Sequence, residues 1–150
     1  MRPTCESDLT TLFEQQLDEE ACAMAAVRSR DRETFDAHWA RVLGNPLCVA
    51  RVIVDDDDRV LGGISSFEEG DTRYVGYWIG REHWGRGVAS AAVALLLAEV
   101  RQRPIHARVA RDNVASIKVL DRNGFVVIGY VHAPETERFL ACEEAVLRLE

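Results

Sequence analysis

Apolar positions recur at spacings of three and four in the first third of the chain and at spacings of two after it. Ser7 and Asp8 read as a cap for a helix through Leu9, Leu12, Phe13 and Gln16. Asp18, Glu19 and Glu20 open a second helical stretch that reaches Ala26, and acids in a first turn suit the helix dipole. Asp31, Arg32 and Glu33 open a third, with Phe35, Trp39, Val42 and Leu43 on one face, and Gly44-Asn45-Pro46 stops it. Residues 47–54 then predict a strand and residues 59–67 its hairpin partner, with the four acids at 55–58 as the turn. Residues 71–79 predict a third strand of this meander.

Residues 80–84 form a loop before Gly85-Arg86-Gly87, and a helix rich in Ala and Leu follows from Val88 to about residue 102, ahead of Pro104. Residues 105–110 predict a strand. Asp112 and Asn113 cap a helix over residues 114–122, and Asn123-Gly124 ends it. Residues 125–131 and 145–149 predict the last two strands. A hairpin meander followed by strand–helix–strand units implies an α/β fold: a mixed, mostly antiparallel sheet with helices on both faces. No repeat or Pro/Gly/Ser-rich linker divides the chain, so residues 1–150 are expected to form a single domain.

Composition narrows the function classes. Residues AVILMFWYC make up 47% and charged residues 29%, which excludes disorder. The net charge of −7 lacks the basic footprint of a nucleic-acid binder or the polybasic cluster of a membrane-surface protein, and it favours cationic partners such as amines. The longest nearly apolar run, residues 88–98, is shorter than the ~20 residues a bilayer requires. No secretory signal is expected at the N-terminus. Cys5, Cys22, Cys48 and Cys142 form no C-x-x-C pair and read as free thiols in a reducing compartment, which points to the cytoplasm. The acids at 55–58 lack the spacing, glycine and terminal Glu of a calcium loop, and no metal is implied.

The informative stretch is the glycine-rich entry into the long helix. Its backbone amides and the helix dipole suit an anion such as a pyrophosphate, with Arg81 and Arg86 at the edge. The same glycines also read as a tight structural turn. A dinucleotide fingerprint needs a third glycine where Ser90 stands, and a phosphate-binding P-loop needs a Lys absent here.

Trp84-Gly85-Arg86-Gly87-Val88-Ala89 resembles the Q/R-x-x-G-x-G/A acetyl-CoA loop of the GNAT acetyltransferase superfamily, with Trp84 where Gln or Arg often stands. Downstream, Asn113 to Phe125 resembles the N-x-x-S-x-x-V-x-x-K/R-x-G-F block of the RimJ/RimL-like branch. The resemblance covers residues 49–125, and the family's usual first strand is nearly missing. It implies that the backbone of Tyr77, Trp78 and Ile79 holds a pantetheine arm between two splayed strands. Gly85, Arg86, Gly87, Val88, Ala89 and Ser90 would then cradle the pyrophosphate. Asn113 would contact the cofactor, or act as a plain helix cap. Ser116 would point toward the thioester sulfur, or stand as an exposed helix serine.

The implied reaction moves an acetyl group from acetyl-CoA to a primary amine, either a protein N-terminus or a small molecule. The alternative is a non-catalytic acyl-CoA-binding sensor or interaction domain. Transfer requires a neutral amine, a proton acceptor, an oxyanion site (expected near Ile79), and a proton for the leaving thiolate. Leu120 stands where many relatives place an acidic Tyr, and Arg108 where some place a basic Glu. Ser116 is therefore the expected proton donor. Glu68, with Glu69, is the first candidate base, ahead of His38, His83 and Glu135. The polar strand face of His106 and Arg108 lines a cleft or faces solvent, and Trp39 packs in the core or borders the acceptor. A monomer or homodimer is expected, with residues 145–149 as a pairing edge.

Overall fold

In the computed structural model, which describes residues 1–150, the change of period near residue 47 separates three helices from a sheet. A two-residue strand β1 (Arg2–Pro3) precedes α1 (Leu9–Gln16), α2 (Glu19–Ala25) and α3 (Arg32–Gly44). The meander is β2 (Val49–Val54), β3 (Val60–Glu69) and β4 (Thr72–Ile79). Then come α4 (Val88–Glu99), β5 (Ile105–Ala110), α5 (Val114–Arg122), β6 (Val126–Ala133) and β7 (Cys142–Leu149). The seven strands form one sheet in the order β1-β2-β3-β4-β5-β7-β6. Every neighbouring pair is antiparallel except β4 and β5, which are joined through α4.

Period-two alternation sends adjacent residues to opposite faces, and β2 shows it directly. Ile53 joins the larger core, where Val93 and Leu96 of α4 and Leu120 of α5 pack against the sheet. Val52 joins a smaller core on the other face with Leu12 of α1 and Phe35 of α3. Phe13 meets Phe35 edge-on at 5.2 Å, and Trp39 lies 6.2 Å from Phe35, so Trp39 is a packing residue. Helices therefore cover both faces, as the pattern predicts.

Two caps behave as read. Asp18 accepts the Ala21 amide at 2.9 Å, and Asp31 accepts the Thr34 amide at 2.8 Å. Asp8 does not cap α1. Its carboxylate turns back to the Cys5 amide at 2.9 Å and to the Arg2 guanidinium at 2.9 Å, so it clamps β1 to the turn before α1. The long helix ends at Glu99, short of residue 102, because Val100 leaves the helical region at ψ 101°. Residues 145–149 are not an edge. β7 lies between β5 and β6, hydrogen-bonded to both, and the edge on this side of the sheet is β6 with Val126, Ile128 and Tyr130 exposed.

The Asp8 side chain is only 5% exposed, and Arg2 holds its carboxyl down at about 2, helped by Cys5. A carboxyl depressed on folding stabilises the fold above its unfolded pKa, and that contribution is lost as pH falls through the folded value. Asp8→Asn should cost about 2 kcal/mol at pH 7. It should also flatten the fall of Tm between about pH 4 and pH 2, measured by thermal unfolding across that range.

Candidate active site

Parallel pairing of β4 and β5 covers only two positions, Arg73 with Ile105 and Tyr74 with His106. β4 continues to Ile79 and β5 to Ala110, so the two strands part beyond Tyr74. The other edge of β4 stays fully paired to β3, through to Gly62 opposite Ile79. A cavity of about 400 Å³ opens beside the divergence, a size within the range of small-molecule sites. Tyr77, Trp78 and Ile79 form one wall, and Gly85, Gly87, Val88, Ala89 and Ser90 form another. Asn113 and Ser116 close the third side.

The glycine loop has the geometry of an anion site. Gly85 and Gly87 both adopt φ +74°, a region that side chains disfavour, and the space around their missing Cβ atoms is open. The first turn of α4 closes with the Ala91 amide on the Gly87 carbonyl at 3.1 Å. The amides of Val88, Ala89 and Ser90 therefore have no partner within the helix and are free to meet an anion. The Trp84 indole donates to the Ile79 carbonyl at 3.0 Å and folds the loop back onto the end of β4.

Two expected contributors fall outside the cavity. Arg81 is bound to Asp18 at 2.8 Å and Glu20 at 2.9 Å, so its charge ties the loop to α2. The Arg86 side chain meets His83 Nδ1 at 3.1 Å, and Arg86 is not part of the cavity wall.

At the start of α5, Asn113 Oδ1 accepts the Ser116 amide at 3.2 Å, so Asn113 is a helix cap that also faces the cavity. The Tyr77 hydroxyl donates to the Ser116 carbonyl at 3.2 Å. Burial pushes the Tyr77 phenol above its ordinary value of 10. Sequence reasoning used Tyr77 only for its backbone. The strand period does, however, put Tyr77 on the core face with Val75 and Ile79. Ala21, Met24 and Ala25 of α2, together with Lys118, also line the cavity without any local pattern to mark them, and so does Arg122, the K/R position of the Asn113–Phe125 block.

The structure does not bring Glu68 to this site. Glu68 pairs with Arg73 at 2.7 Å and accepts from Gln102 at 3.4 Å. Arg73 is at the opposite end of β4 from Ile79, roughly 20 Å away at ~3.3 Å per residue. Glu69 lies 3.7 Å from Arg108, and Glu135 pairs with Arg28. His38 is held down at about 4 by burial, with repulsion from Arg30, Arg41 and Arg138 adding to it, and it too is outside the cavity. Of the candidate bases only His83 lines the cavity. Arg108 on the polar face of β5 is also engaged elsewhere, since its guanidinium lies over the Tyr74 ring at 5.0 Å and donates to its hydroxyl.

Residues 1–126 match the family model of the acetyltransferase (GNAT) domain. The chain is similar to the uncharacterized N-acetyltransferase p20 of Bacillus licheniformis, 36% identical over 81 residues, 49% of this chain and 46% of that protein. The chain spans about half the length of the curated relatives it matches. Its fold is similar to that of spermidine N-acetyltransferase from Vibrio cholerae in complex with CoA and spermine. That likeness has a TM-score of 0.84 at 14% identity and covers 99% of this chain and 92% of the other. It is also similar to RimL, the ribosomal L7/L12 α-N-protein acetyltransferase in complex with coenzyme A. There the TM-score is 0.76 at 18% identity, with 97% and 90% covered.

The end of β4 tolerates no side chain at Gly62, where a Cβ would meet the Trp78 carbonyl oxygen at 2.2 Å. The oxygen is backbone and a Cβ is fixed by the backbone that carries it, so no rotamer change relieves the clash. Gly62→Ala should destabilise by about 1–3 kcal/mol in denaturant titration. Gly76→Ala, whose Cβ would make an ordinary 3.6 Å contact with Phe67, should stay within about 0.5 kcal/mol of the parent protein.

Proposed function

The chain belongs to the GNAT acetyltransferase family, and on that premise we propose that it transfers an acetyl group from acetyl-CoA to a primary amine by direct attack on the thioester. The observation that carries this reading is a single cavity holding both an unpaired strand edge and an unpaired helix N-terminus. The amides from Gly85 to Ser90 would hold the pyrophosphate. The β4 backbone from Tyr77 to Ile79, which β5 leaves unpaired and of which the Trp84 indole takes only the Ile79 carbonyl, would hydrogen-bond the amides of the pantetheine arm. Its last amides would donate to the oxyanion that develops on the thioester carbonyl. Asn113 and Ser116 face the same space, and the sequence block they open supports placement in the RimJ/RimL-like branch. Four unpaired thiols support a reducing, cytoplasmic setting.

The titratable side chains lining the cavity are Tyr77, His83, Lys118 and Arg122. Such a wall repels an ammonium ion and admits a neutral amine. An α-amine, with a pKa of ~7.7–8.0, reaches the neutral form far more easily than a lysine at ~10.4. We therefore favour a peptide N-terminus, or a small amine of similar basicity, as the acceptor. The position of Glu68 outside the cavity favours one rival, a domain that binds acyl-CoA without transferring the acyl group.

Thermal unfolding with acetyl-CoA, NADH and ATP tests the cofactor. Acetyl-CoA at about 100 times its Kd should add about 2.7 kcal/mol, several degrees of Tm, and the other two ligands should add none. Gly87→Ala, strained at φ +74°, should lose affinity about tenfold. Product formation on a free α-amine peptide should rise with pH through the peptide's own pKa of ~7.7–8.0. A shift without product on any amine would establish the binding domain instead, and no shift with acetyl-CoA would remove both readings.

A further inference from the structure

We propose that the Tyr77 hydroxyl on β4 delivers the proton to the leaving thiolate, in place of the Ser116 hydroxyl; the inference rests on the acetyl-CoA reading above. The position that carries an acidic Tyr in many relatives is Leu120 here, fully buried at 0% exposure in the main core. The strand brings a phenol to the same helix from the other side. The Tyr77 ring packs against the main core, while its hydroxyl reaches the first turn of α5 in the cavity wall.

Three features fit the hydroxyl to this task. First, its 3.2 Å bond to the Ser116 carbonyl is long for an O–H donor, whose usual range is ~2.5–3.0 Å. That carbonyl lies inside α5 and has the helix amide of residue 120 as its own partner. Releasing the phenol therefore leaves no orphaned acceptor. Second, a donor seated on the glycine loop and running along the free edge of β4 passes Tyr77 before the strands close at Tyr74 and His106. Third, the phenol, whose ordinary pKa is about 10, is protonated and ready to donate at neutral pH. An aliphatic hydroxyl such as that of Ser116 is a far weaker acid than a phenol.

In the step, the amine nitrogen's lone pair forms the C–N bond at the thioester carbonyl. The tetrahedral intermediate then collapses, and the C–S bond breaks with its electron pair on sulfur. The Tyr77 proton moves to that sulfur and gives the free thiol. The phenolate recovers a proton from the nitrogen of the intermediate, directly or through water, so the net products are the acetamide and CoA.

The test uses CoA itself and needs no acceptor. Carbon NMR of the methylene beside the sulfur follows the thiol titration of bound CoA in the parent protein, Tyr77→Phe and Ser116→Ala. A phenol hydrogen bond favours the thiolate, so Tyr77→Phe should raise the bound thiol pKa by about one unit, a tenfold loss of acidity. Ser116→Ala should leave that pKa in place. Desulfo-CoA, which lacks the sulfur, should bind Tyr77→Phe and the parent within about twofold. Tyr77→Phe keeps the ring, and its Tm in the absence of ligand confirms the fold. An unmoved pKa in Tyr77→Phe, or a shift found in Ser116→Ala instead, would overturn the proposal while leaving the cofactor reading intact. Failure of CoA to bind the parent protein would overturn both.

Discussion

A strand inside a sheet normally satisfies its backbone on both edges, and β4 does so on only one. Its bonds to β3 run the full length of the strand, while those to β5 stop at Tyr74. Buried amides and carbonyls without partners are costly, so the free edge beyond Tyr74 must meet water or a ligand with amides of its own. The rest of the site maintains that opening. Gly62 lets the Trp78 carbonyl sit against β3, Trp84 ties the loop to Ile79, and Trp78 donates to the Gln15 carbonyl at the end of α1 at 3.3 Å. The wedge is therefore built into the sheet and does not depend on a mobile lid.

The charge distribution has a similar division of labour. The chain carries −7 overall, yet the charged side chains at the cavity are Lys118 and Arg122. Asp18 and Glu20, the carboxylates next to the glycine loop, are held by Arg81, and Glu68 and Asp8 form ion pairs with Arg73 and Arg2 away from the site. An anionic donor thus meets free amides and cations, while the acidic exterior suits an approaching amine. The cost is that no carboxylate base stands in the cavity wall, which shifts the burden of deprotonation to the acceptor's own pKa.

Much of the site was legible from local pattern because local geometry produces it. Glycines at 85 and 87 are needed where φ is positive, and the free amides follow from any helix N-terminus. Asn113 is a cap because its side chain reaches a backbone amide three residues on. The order and type of the strands likewise follow from period-two alternation and turn residues. Pairing was less accessible, since β6 and β7 could exchange places without changing any local signal. Their observed order leaves β6, and not residues 145–149, at the edge.

The helix–strand succession, the glycine loop and the capped helix that follows are written in local pattern, since each depends on residues within a few positions of one another. Which distant side chains share the cavity was settled by the folded domain. It set Glu68 of β3 beside the far end of β4, spent Arg81 on α2, and brought Tyr77 to Ser116 across 39 residues. Such meetings depend on sheet register and on where two strands part. Both are settled by packing over the whole domain, so no short segment encodes them.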